Sequence, residues 1–134
     1  MVWDVLADNV EHIIACGSFW MYGPPKIVPT PEIGFEACFV KGYEIRYNDI
    51  LKIQAESGQG KAVFTATMLP NIAGPGKIPI DQYGGRDLEL HKQMARGDKV
   101  YIPDGSECLI GPCDAEDIAE SFVLAVNNRN NAAG

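Results

Sequence analysis

Turn signals interrupt this chain so often that no long element fits between them. Gly23-Pro24-Pro25, Lys41-Gly42, Ser57-Gly58-Gln59-Gly60, the stretch 70–85, Ala95-Arg96-Gly97-Asp98, Pro103-Asp104-Gly105-Ser106 and Gly111-Pro112 succeed one another along it. Proline fixes φ and lacks an amide donor, and glycine supplies backbone conformations that other residues avoid, so each cluster tends to end a helix or strand. The intervals between them are short and rich in β-branched and aromatic residues, the composition of strands.

Taken in order, residues 11–22 read as a strand carrying Ile13, Ile14, Phe19, Trp20 and Tyr22. Pro29 and Pro31 make 26–34 a loop or an irregular edge. Residues 35–40 are a compact apolar strand, and Tyr43-Glu44-Ile45-Arg46-Tyr47 alternates at period two, as a half-buried strand does. A turn at Asn48-Asp49 leads into 50–56, with Leu51, Ile53 and Ala55 on one side, and Ser57–Gly60 folds that strand back onto 62–69 as a hairpin. Residues 70–85 hold three prolines and four glycines and form the longest loop.

Leu88, Leu90 and Met94 fit either a short helix or a strand. The turn at 95–98 and the run Lys99-Val100-Tyr101-Ile102 favour a strand hairpin, followed by a last strand over 107–110. Then the period changes. Asp114 is a good N-cap, Glu116 and Asp117 lie in the first turn, and Ile118, Phe122, Ala125 and Val126 gather on one stripe that Ala119 and Val123 widen. Asn127-Asn128 end this helix. Trp3, Leu6 and Val10 make the opening a short helix or an irregular arm.

The 134 residues have room for one domain, placed at 11–128 between an arm at 1–10 and a polar tail at 129–134. The expected class is mainly β (α+β): an antiparallel seven-stranded sandwich or partly open barrel capped by the C-terminal helix. An apolar fraction of 46% against 22% charged residues excludes wholesale disorder. The net charge of −7, with eleven bases scattered singly from Lys26 to Arg129, argues against nucleic acid and against an anionic membrane surface. The uncharged stretch 13–25 contains Gly, Ser and two prolines and does not read as a membrane span.

Cys16, Cys38, Cys108 and Cys113 show no metal-ligand spacing and read as small buried hydrophobes, with a Cys108–Cys113 disulfide as the alternative. With Met1-Val2-Trp3-Asp4 opening the sequence and no charged leader before an apolar run, the expected compartment is reducing and cytoplasmic.

The order of elements and two runs resemble bacterial pleckstrin-homology-like domains. Residues 42–53, Gly-Tyr-Glu-Ile-Arg-Tyr-Asn-Asp-Ile-Leu-Lys-Ile, look like the strand, polar pair and following strand of those domains. Residues 99–122 are similar to their closing hairpin, Gly-Pro, acidic cap and Phe-bearing helix. The likeness covers roughly residues 35–128, and it implies a pleckstrin-homology-like shell without catalysis. Fold likeness alone transfers no ligand.

Direct signs of chemistry are few. His12 and His91 stand apart from any nucleophile or metal-type spacing and read as ordinary surface or boundary histidines. Gly58-Gln59-Gly60-Lys61 lacks both the spacing and the Ser or Thr of a phosphate loop, and Gly74-Pro75-Gly76-Lys77 fails similarly. Glu116, Asp117 and Glu120 read as a solvated helix face, and Arg96-Gly97-Asp98 as a turn rather than an adhesion motif. No catalytic residue, metal site or cofactor is expected.

The consecutive Phe19, Trp20, Met21 and Tyr22 are the candidate binding surface, because a strand presents such a run to both of its faces. Burial of both faces in a sandwich or dimer explains the run equally well. The expected function is a non-catalytic interaction or self-assembly module, with a protein partner or a second copy of the chain. The rival is a small-molecule-binding domain or minor enzyme with a pocket near 70–85, its polar groups supplied by Asp81, Tyr83 and Arg86.

Overall fold

The computed structural model describes residues 2–31, 38, 40–104 and 111–134. Among them the chain runs α1 (Val2–Leu6), β1 (His12–Ser18), a 3-10 turn (Phe19–Met21), α2 (Tyr43–Glu56), β2 (Val63–Leu69), β3 (Asn71–Ala73), α3 (Leu88–Arg96), β4 (Pro112–Asp114) and α4 (Ala115–Asn127). The strands pair as β1 with β2 and β3 with β4, both parallel. This overturns the expected antiparallel sandwich or barrel. Among the described residues, four helices and four short strands in two separate pairs form an α+β fold with no closed sheet. Two compact units result, Met1–Leu69 with Glu120–Gly134, and Pro70–Ala119.

In the first unit β1 and β2 run in register from His12 opposite Val63 to Ser18 opposite Leu69. Parallel strands cannot be joined by a tight turn and need a crossover. Here the crossover contains α2, which occupies the two strands expected over 43–56. The apparent alternation of Tyr43, Ile45 and Tyr47 conceals a helical stripe. Tyr43, Tyr47 and Ile53 are half-buried and Ile50 is buried, whereas Ile45 and Leu51 face outward. Those four inward positions lie at i, i+4, i+7 and i+10, the spacing of one helix face. Gly42 begins the helix at φ 95°.

The core of this unit gathers Trp3, Ala7, Met21, Ile50, Ala62 and Phe64, with Ile13, Ala15, Tyr47 and Met68 packed against it. The Trp3 ring meets Phe64 edge-on, with centroids 5.9 Å apart. Its indole N–H donates to Glu56 at 3.0 Å, and Lys61 pairs with the same carboxylate at 3.2 Å. These contacts, the Trp3 hydrogen bond first, hold the Glu56 carboxyl below its ordinary range. Ala62 N donates to Ala7 O at 2.7 Å and ties the arm to the start of β2. Gly17 is buried beside Met68, and a Cβ there would lie 2.3 Å from the Met68 sulfur.

The last residues of the sequence lie along the edge of β2 away from β1. Ala66 N donates to Gly134 O at 2.8 Å and Gly134 N to Phe64 O at 3.1 Å. On the same edge Phe64 N donates to the Ser57 hydroxyl at 2.8 Å. Thr65 gives its hydroxyl proton to Ala132 O at 2.5 Å. That proton is then committed, so His12 Nε2, 2.9 Å from the same oxygen, must be the donor in its own contact. Burial, and then the nearby Arg129 charge, push the His12 pKa down.

In the second unit, α3 replaces the strand expected over 87–94. Asp87 caps it, accepting from Glu89 N at 2.9 Å, and Gly97 ends it at φ 77°. The sequence 95–98 is therefore a helix C-cap rather than a hairpin turn, and 99–102 carries no strand. The helix expected after Asp114 is present, with Glu116 N donating to the Asp114 carboxylate at 2.8 Å. Ala125 is buried and Ile118 and Phe122 half-buried, but Val123, Leu124 and Val126 are exposed. The expected strand 107–110 and Cys108, with its proposed disulfide, lie outside the described residues, as does most of the strand 35–40. Cys16 is exposed and Cys38 and Cys113 half-buried, so none of these three is the buried hydrophobe expected.

Candidate functional site

The aromatic run 19–22 is not a strand. β1 stops at Ser18, whose hydroxyl accepts from Trp20 N at 3.3 Å, and the chain winds into a 3-10 turn closed by Tyr22 N donating to Phe19 O at 3.1 Å. Winding at three residues per turn, rather than alternating sides, decides which side chains are hidden. Met21 is buried in the core. Tyr22 meets Tyr47 of α2 edge-on, with centroids 5.7 Å apart, and lies 6.3 Å from Phe19. Cys38 Sγ lies 3.0 Å from Trp20 O, which accepts its proton. Phe19 and Trp20 remain 54% and 52% exposed. Two large apolar side chains, consecutive in sequence, are thus half-exposed on a turn fixed by Met21, Tyr22 and the Ser18 cap.

Asp81, Tyr83 and Arg86 do come together, in the loop before α3. Asp81 is buried and accepts from Tyr83 N at 2.8 Å, Gly85 N at 3.1 Å and Asp87 N at 3.0 Å. The Asp87 amide, followed by the other two, holds this carboxyl below the ordinary range against the opposing cost of burial. Tyr83 donates its hydroxyl to Tyr101 O at 2.9 Å, and Gln82 donates to the same carbonyl. Arg86 donates to Ile78 O and Ile72 O, and His91 Nε2 to Pro79 O at 3.1 Å. The polar groups assigned to a pocket instead hold their own loop together, and each points at backbone.

The remaining motifs have local explanations. Arg96 Nε pairs with Asp98 at 2.9 Å across the Gly97 cap. Gly58 and Gly60 take positive φ in the turn after α2. Gly74 and Lys77 bridge each other in a tight turn. Sequence reasoning missed the docking of 132–134 on β2 and the His12–Thr65 contact. A polar tail gives no pattern that names its partner strand.

No protein-family model, curated protein or solved structure matches the chain, so the pleckstrin-homology resemblance gains no support from relatives. Among the described residues, no group of three His, Cys, Asp or Glu side chains is placed to hold a metal ion. Nor, among them, is any helix long and apolar enough to cross a membrane.

Proposed function

We propose that the chain is a non-catalytic protein-interaction module whose contact surface centres on Phe19 and Trp20. The observation that carries this reading is the exposure of both rings on a turn whose other two members are anchored. Covering such rings removes apolar area from water at about 25 cal/mol per Å². A turn already fixed loses little conformational freedom on binding, which favours affinity. Trp is also prominent among the residues that dominate measured interfaces. Another copy of the chain is one eligible partner. Asp81, Tyr83 and Arg86 are engaged with backbone of their own unit, which favours this reading over a small-molecule pocket built from them.

Native mass across a concentration series, with pull-down from a source lysate, tests the reading on the whole chain and on Trp20→Ala. The variant should keep its far-UV spectrum and lose assembly or partner capture. Equal assembly and capture by the two proteins would refute it.

A further inference from the structure

We propose that residues 132–134 form an exchangeable strap, able to close the edge of β2 either in their own chain or in a second copy. This surface is distinct from Phe19 and Trp20, and the inference stands or falls separately from the proposed function. The edge of β2 away from β1 needs a partner, because Phe64 O and Ala66 N are the main-chain groups of a strand whose Phe64 is 2% exposed. Gly134 satisfies both, and Thr65 adds its hydroxyl bond to Ala132 O. A carbonyl and an amide at that spacing work equally well from either chain, so closure in trans forms the same bonds as closure in cis.

Two features make the strap easy to release. Between it and α4 lies an open groove of about 380 Å³, lined by Ser121, Leu124, Ala125, Asn128, Asn131 and Ala132. On this side Ala132 borders open space, so lifting that residue forfeits few dispersion contacts with α4. The hinge is also nearly helical. Asn128 N donates to Leu124 O and Ala132 N to Asn128 O, both at helical i−4 spacing, while Asn131 N donates to Asn128 O in a tighter turn. Straightening 128–131 continues α4 and carries the strap outward, toward a neighbour.

Helix propensity in the hinge sets the balance between the two closures. Replacing Asn130 and Asn131 with Ala favours the straight form by roughly threefold per residue, so roughly tenfold per chain. Native mass spectrometry and sedimentation of the full chain should then show more dimer in Asn130→Ala/Asn131→Ala than in the parent at equal concentration. Hydrogen exchange at the Ala66 amide should remain slow in the dimer. Adding Gly134→Pro removes the donor to Phe64 O and should return the protein to monomer with fast exchange at Ala66. An unchanged monomer fraction in the double variant would overturn the inference. So would a dimer that survives Gly134→Pro, since such a dimer uses another surface, and Trp20→Ala in that background identifies whether it is the Phe19–Trp20 surface.

Discussion

Phe64→Ala offers the sharpest test of where the interior of the first unit lies. Phe64 is 2% exposed and meets Trp3 edge-on at 5.9 Å. Removing a buried Phe side chain costs about 3–5 kcal/mol, as lost transfer energy plus the cavity left behind. The aromatic pair accounts for about 0.5–1.5 kcal/mol of coupling beyond area alone. Against a total stability of about 5–15 kcal/mol, such a loss takes a large share of what holds a domain folded. The control is Phe19→Ala, which removes the same atoms from a site 54% exposed and should change stability by less than about 0.5 kcal/mol. Urea unfolding followed by tryptophan fluorescence and far-UV circular dichroism measures both, and a Trp3→Leu/Phe64→Ala cycle isolates the coupling. Trp3→Leu also removes the bond to Glu56, so Trp3→Phe, which loses only the N–H, separates that contribution. Equal costs at Phe64 and Phe19, or the reverse order, would refute the assignment of inside and outside and the core built on it.

Gly97→Ala should cost about 1–2 kcal/mol, because Gly97 sits at φ 77° with nothing near its missing Cβ, so the penalty is purely conformational; Gly97→Asn should cost less, and a neutral Gly97→Ala in thermal melts would contradict the α3 C-cap. The lowered Asp81 carboxyl makes the loop most stable above the ordinary value of 3.8 and weakens it as pH falls through the lower folded pKa. Amide exchange at Tyr83, Gly85 and Asp87 should accelerate together over that acid window, and Asp81→Asn should expose Asp87 first, since its amide faces the second oxygen. His12, lowered from 6.5, remains neutral in the folded chain after its unfolded counterpart has begun to protonate. Its contribution is therefore complete above 6.5 and is lost as pH falls toward the folded pKa, which a His12 proton-resonance titration and urea midpoints across that range would check.

The elements legible in the sequence are those whose signal has a single structural meaning. Asp114 followed by two acids and an apolar stripe can only start a helix, and α4 is there. The run over 62–69, with Val63, Phe64, Thr65 and Thr67, contains β2 (Val63–Leu69). Signals with two meanings account for the losses. An αL glycine closes a hairpin and ends a helix equally well, and Gly97 does the second, so the strands drawn on either side of it vanish together. In α2 the outward Ile45 and Leu51 supply the missing members of a two-residue alternation, and an apolar residue in water is too common to betray itself. Strand partnership was beyond reach for a different reason. Ser57–Gly60 does mark a turn, but a turn proves nothing about what precedes it, and once 43–56 is helical β2 must look to β1 for a neighbour. The aromatic run 19–22 shows how the scaffold beneath a candidate site can be misread. Its residues drew notice because a strand would expose alternate rings, yet the Ser18 cap turns the chain and leaves the adjacent pair Phe19 and Trp20 outside. Winding at three residues per turn, in place of two-residue alternation, is what buries Met21 and leaves Phe19 and Trp20 exposed.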